Sequence, residues 1–185
     1  GCAEKFLAQA DASAKVTPLI DVASWRRHGE VAKTGFATLP GETIANMRLA
    51  AGVQGLGLAT AATDLAFVYA SERRQGGPVS AAPVPIAAHA DVQRMLFEML
   101  ARVEVIRGLA IAIAVQIDLA AFESDAGRRE QGSALVQWLL PIFKTMGGEC
   151  GFEVSSEALQ ILGGAGYTHE WPIEQFVRDA RIGTI

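Results

Sequence analysis

Apolar residues along this chain recur at three- and four-residue steps rather than alternating with polar ones, and that period predicts helices. The pattern is clearest over about 88–123. There Val92, Met95, Leu96, Met99, Leu100, Val103, Ile106 and Leu109 fall on one face, with Arg94, Glu98 and Arg102 on another. Glu42 to Arg74 contains no proline and is rich in Ala, Leu, Met and Gly. It predicts one helix of roughly 30 residues, about 45 Å long. A third helix is expected from Arg128 to Leu162, kinked at Pro141 and softened by Gly147-Gly148. A short fourth runs from Ile173 to Ile182, with Pro172 at its first helical position. Gly76-Gly77-Pro78 with Pro83 and Pro85, and later Ser124-Asp125-Ala126-Gly127, break the pattern. Nothing alternates convincingly, so the expected fold class is all-α. Short connections make it an antiparallel four-helix bundle.

Residues 1–41 read as a separate lead-in of unclear role, with short helices expected at about 3–15 and 19–34, and residues 42–185 read as the bundle. Three glycines interrupt the first long helix, Gly52, Gly55 and Gly57. Each costs about 1 kcal/mol relative to Ala, so close approach of another helix or of a ligand must offset them.

Composition narrows the function classes. With 50% hydrophobic and 19% charged residues the 185-residue chain has a globular balance, and a net charge of −4 offers no basic footprint for nucleic acid. Only Cys2 and Cys150 occur, which suits a reducing, cytoplasmic setting. The most apolar runs, Leu49 to Thr63 and Gly108 to Ile117, fall short of the roughly 18 uncharged residues a membrane span needs, so no membrane partner is expected. His169-Glu170 lacks metal-ligand spacing and reads as a pair of loop residues; no metal is expected.

The run Gly163-Gly164-Ala165-Gly166 holds more glycine than a helix cap requires. A bare backbone lets a phosphate or ribose approach main-chain amides, although at the sequence level a structural reason for the cluster is equally good. It is no Rossmann fingerprint, because no strand precedes it and the third glycine of that pattern falls on His169.

Gln160-Ile161-Leu162-Gly163-Gly164-Ala165-Gly166-Tyr167, then Pro172, then Arg178-Asp179-Ala180, resembles the signature that ends the C-terminal helical domain of flavin-dependent acyl-CoA dehydrogenases. Glu72-Arg73-Arg74-Gln75 resembles a second motif of that family, and His89 with Met95-Leu96 a third, in the same order. The stretch Arg48 to Gly57 and a long interhelix loop look more like the larger branch that includes methylthiopropionyl-CoA dehydrogenases.

The resemblance implies FAD as cofactor, an acyl-CoA substrate, α,β-desaturation, an electron-transfer partner, and a homodimer or homotetramer with the flavin between subunits. It implies that Arg73 neutralises the FAD pyrophosphate of a neighbouring protomer, with Gln75 beside it. Gln160, Gly163 and Gly164 would approach the ADP half, His89 would lie near the cofactor, and Arg48 would line the acyl-CoA channel. The plainer alternative for Arg73 is a solvated cation at a helix C-terminus. For His89 it is a cap or surface residue, and for Arg48 an ion pair at the core edge.

Departures from the family pattern stand at Gly76, where an aromatic is usual, and at Ala90, where a Gln is usual. The family's general base follows the equivalent of Gly183-Thr184-Ile185, and where some members place it on the first bundle helix this chain has Met47. No catalytic residue is therefore assigned within residues 1–185. The competing expectation is a helical oligomerisation module derived from the same family without flavin chemistry.

Overall fold

The computed structural model describes residues 41–185, with side chains from Ile44 onward; the helices expected at 3–15 and 19–34 lie outside the described residues. Four α-helices follow in order: α1 Gly41–Glu72, α2 Ala90–Phe122, α3 Ala126–Leu162 and α4 Ile173–Ile182. Short 3-10 turns occupy Ile86–Ala88 and Gly163–Tyr167. Residues 44–185 form one compact unit around a shared core.

Two devices hold α3 to its neighbours. Against α2 it packs side chains: Met95, Leu96, Met99, Val103 and Ile106 are buried, as the stripe predicted. Leu100 is the exception at 39% exposure, since it sits at the edge of the face. Outside that core, Arg102 pairs with Glu153, and Arg94 pairs with Asp91 and Glu98 at 2.9 Å each. Against α1 the contact is backbone on backbone. A Cβ on Gly55 would lie 2.1 Å from the Gly147 carbonyl oxygen, and one on Gly147 would lie 2.6 Å from that of Gly52. Gly151 meets Gly55 in the same way, and Ala59, Ala62, Ala66 and Ala70 continue the seam, all fully buried. Close helix approach thus accounts for Gly52 and Gly55. Gly57 has no neighbour within 4 Å.

Several boundaries differ from expectation for local reasons. Pro141 lies inside α3, which continues through it, and Gly147-Gly148 form contact surface rather than a soft point: a Cβ on Gly148 would lie 2.9 Å from the Gly183 carbonyl oxygen. The start of α3 moves back to Ala126 because Asp125 caps it, its carboxylate accepting from the Arg128 N–H at 2.8 Å. Pro172 is the N-cap of α4, one position earlier than predicted. At the end of α1 the chain leaves the helix at Glu72 and forms an isolated antiparallel bridge, Arg74 with Pro85.

By length and composition alone, α1 from Ile44 and α2 are each long and apolar enough to cross a membrane, a test that tolerates an isolated charge and that core helices of globular proteins also pass. In α1 33% of the apolar window is buried, with Met47, Val53, Phe67 and Val68 exposed, whereas only 11% of the α2 window is buried and Phe97, Val105, Ile111, Val115 and Phe122 face outward.

Candidate functional site

The end of α1, the loop up to α2 and the end of α3 enclose an open groove of about 780 Å³. Arg73, Gln75, His89, Gln160, Gly163 and Gly164 all line it, joined by Tyr69, Gly76, Ile86, Val92, Ile161, Leu162 and Ala165. Six positions chosen from three separate motifs therefore converge on one cavity. Arg48 does not join them. It is exposed, and at about 1.5 Å per residue it lies about 37 Å from Arg73 along the helix.

The three glycines of the terminal cluster have three different environments. Gly163 caps α3 with φ 59° and ψ −137°, its N–H donating to the Gln160 and Leu159 carbonyls. Gly166 is buried, and a Cβ there would sit 2.9 Å from Cβ of Leu162. Gly164 has neither a positive φ nor any atom within 4 Å of a Cβ, so neither backbone nor packing demands glycine there. It faces the groove.

Across the groove, a backbone clasp fixes the segment that carries Arg73 and Gln75. The Ile86 N–H donates to the Arg73 carbonyl at 2.8 Å and the Gln75 N–H to the Val84 carbonyl at 2.9 Å. The His89 ring reaches the Gln75 carbonyl from Nε2 at 2.8 Å. His89 is the N-cap of α2 by position, but its side chain makes no capping hydrogen bond. Gly76 adopts φ 69°, and a Cβ there would be 3.1 Å from Cε1 of His89. The His89 ring therefore crowds the Cβ position of residue 76, and the positive φ there favours glycine.

Electrostatically the groove differs from a helix-N-terminal phosphate cradle. Two helices, α1 and α3, end there and present the negative ends of their dipoles; only α2 begins there. The main-chain amides that the glycine run suggested are therefore not the principal attraction for an anion. Positive charge must come from the Arg73 guanidinium, whose fixed donors suit a phosphate.

Some features were not legible in the motifs. Tyr69 lines the groove and packs edge-on against Trp171, ring centroids 5.3 Å apart at 86°. His169 pairs with Glu174 at 2.9 Å rather than with its neighbour Glu170, and Arg178 pairs with the same carboxylate. A spacing of five residues across a turn carried no signal. Among the described residues no cluster of three metal-ligating side chains occurs. A second cleft of about 360 Å³ between α2 and α3 is lined by Ala101, Val105, Ile106, Met146 and Cys150, among others. Burial raises the pKa of the Cys150 thiol, Arg102 opposing in part, so the group stays protonated and unreactive near neutrality.

Residues 34–185 match the family model described as acyl-CoA dehydrogenase, C-terminal domain. The chain belongs to the acyl-CoA dehydrogenase family. It is 42% identical over 138 residues to 3-methylmercaptopropionyl-CoA dehydrogenase of Ruegeria pomeroyi, covering 73% of this chain and 23% of that protein. It is 33% identical over 152 residues to the Mycobacterium leprae protein named "probable acyl-CoA dehydrogenase fadE25", covering 82% and 34% respectively. Among solved structures, butyryl-CoA dehydrogenase of Megasphaera elsdenii matches with a TM-score of 0.60 at 28% identity, over 78% of this chain and 34% of that one. The chain thus spans about a quarter to a third of these acyl-CoA dehydrogenase relatives, and the match begins at residue 34, inside the lead-in.

Proposed function

We propose that this domain holds the adenosine-diphosphate half of FAD in the groove between the ends of α1 and α3, as part of an acyl-CoA dehydrogenase. The observation that carries the reading is Gly164, a glycine that neither backbone nor packing requires and that opens onto a groove edged by Arg73. The donor set fits the group. Arg73 offers a charged fork to the pyrophosphate, Gln75 and Gln160 offer amides to phosphate or ribose, and Gly163-Gly164 leave room for the sugar. When bound, FAD supplies the hydride acceptor for α,β-desaturation of an acyl-CoA thioester. Within residues 1–185 no side chain is assigned as the base, and Met47 cannot accept a proton.

The 42% identity to a 3-methylmercaptopropionyl-CoA dehydrogenase supports the larger branch of the family and a short acyl-CoA substrate, with electrons leaving through a separate acceptor. A homodimer or homotetramer is supported by the outward apolar residues of α2, which leave a face that a second subunit would cover. A cytoplasmic location accords with the family and with the buried, protonated Cys150. Arg48 would line the acyl-CoA channel from its exposed position on α1.

Titrating the chain with FAD and following flavin fluorescence and absorbance tests the reading. Saturable binding that Arg73→Ala weakens is expected. A chain that retains no flavin after incubation with excess FAD and removal of the free nucleotide by gel filtration would leave the non-catalytic oligomerisation module as the function.

A further inference from the structure

His89 is half-buried, sits at the N-cap of α2 without capping it, and spends a ring nitrogen on a backbone carbonyl instead. A carbonyl only accepts, so Nε2 carries the proton and donates to Gln75. The same ring lies over Gly76, close enough that a Cβ there would have to push it aside by a few tenths of an ångström, and the residue below must also hold φ 69°. On either side the backbone is tied: Ile86 to Arg73, Gln75 to Val84, and Val84 to Gly76 at 3.3 Å. Residues 71–80 are otherwise exposed, and the Arg74 guanidinium adds one further tie, donating to the Pro83 carbonyl at 3.2 Å.

We infer that His89 is a positioning residue: donating from Nε2 to the Gln75 carbonyl and packing over Gly76, it locks the turn that presents Arg73 and Gln75 to the groove. What those two side chains would hold rests on the FAD reading above; the clasp itself does not. An arginine fork discriminates only when its backbone is fixed, because a mobile one loses in ordering what it gains in contact. His89 and Gly76 act as one unit, the ring favouring a bare residue and the bare residue requiring the ring to order it.

The test compares the full 185-residue chain with His89→Ala, His89→Gln, Gly76→Ala and the double variant Gly76→Ala/His89→Ala. Amide hydrogen exchange is measured without FAD, and FAD affinity is measured alongside. His89→Ala is expected to speed exchange at Gln75, Val84 and Ile86 by about tenfold or more while leaving the α3 core amides unchanged. It should weaken FAD binding about tenfold, the worth of one hydrogen bond and its ordering effect. His89→Gln, which keeps a donor, should recover most of both. The double variant should lose much less than the product of the two single losses. Unchanged exchange in His89→Ala overturns the clasp. So do multiplicative affinity losses in the double variant, which would show His89 and Gly76 acting independently. If the wild-type chain binds no FAD, the proposed function fails, and exchange alone still decides the role of His89.

Discussion

Two glycine clusters, one within α3 where it meets α1 and one just past its C-terminal end, obey different rules. At the α1–α3 seam, every atom that Gly55, Gly147 and Gly151 lack would collide with the backbone of the facing helix. At the end of α3, the missing atoms of Gly163 and Gly164 would meet nothing. The same residue type therefore serves close packing in one place and an open groove in the other. What separates them is not composition but whether a neighbour occupies the space where a Cβ would go.

Substitutions that add one methyl group probe this difference most directly. Gly55→Ala should produce the largest effect, because 2.1 Å from a carbonyl oxygen forces the helices apart. A loss at or above the top of the about 1–3 kcal/mol range for overpacking is expected, read as a fall in the urea midpoint. A seam that tolerates the methyl group without loss would show the helices are not this close. Arg73→Ala should leave that midpoint within about 0.5 kcal/mol of wild type and weaken FAD binding by about 1.5–3 kcal/mol, or roughly ten- to a hundredfold. Arg73→Lys should restore part of the affinity, since charge returns without the fork.

Gly163→Ala should destabilise by about 1–3 kcal/mol through its φ alone. Gly164→Ala should stabilise slightly, by about 0.4–1 kcal/mol, while lowering FAD affinity several-fold. Opposite signs on adjacent glycines, seen in parallel melts and titrations, would separate a cap from a ligand surface. The smallest effect belongs to Gly57→Ala, where open space and a helical backbone predict a gain of about 0.5–1 kcal/mol in thermal stability and unchanged affinity.

The helices were legible because their period is local: the buried face of α2 could be written down from Val92 to Leu109 with only Leu100 misplaced. The motif residues of the groove were also legible individually. Their arrangement was not, because the bridge between Arg74 and Pro85 and the reach of His89 to Gln75 join positions eleven and fourteen apart without any periodic signature. The partners of the glycine seam were hidden for the same reason, as nothing in the run Gly52 to Gly57 says that Gly147 stands opposite. Which dipole end meets the glycine run was hidden as well, because helix direction at the groove is a property of the assembled bundle.

The edge-on contact between Tyr69 and Trp171 gives the molecule a built-in optical probe. Tyr69 forms part of the groove wall, so a flavin nucleotide lodged there would sit one aromatic ring away from an indole. Trp138, at 67% exposure, is open to iodide, while Trp171 is half-buried. In a Trp25→Phe background with Trp138 quenched, the remaining ultraviolet emission becomes a direct, label-free reading of whether that wall has a guest.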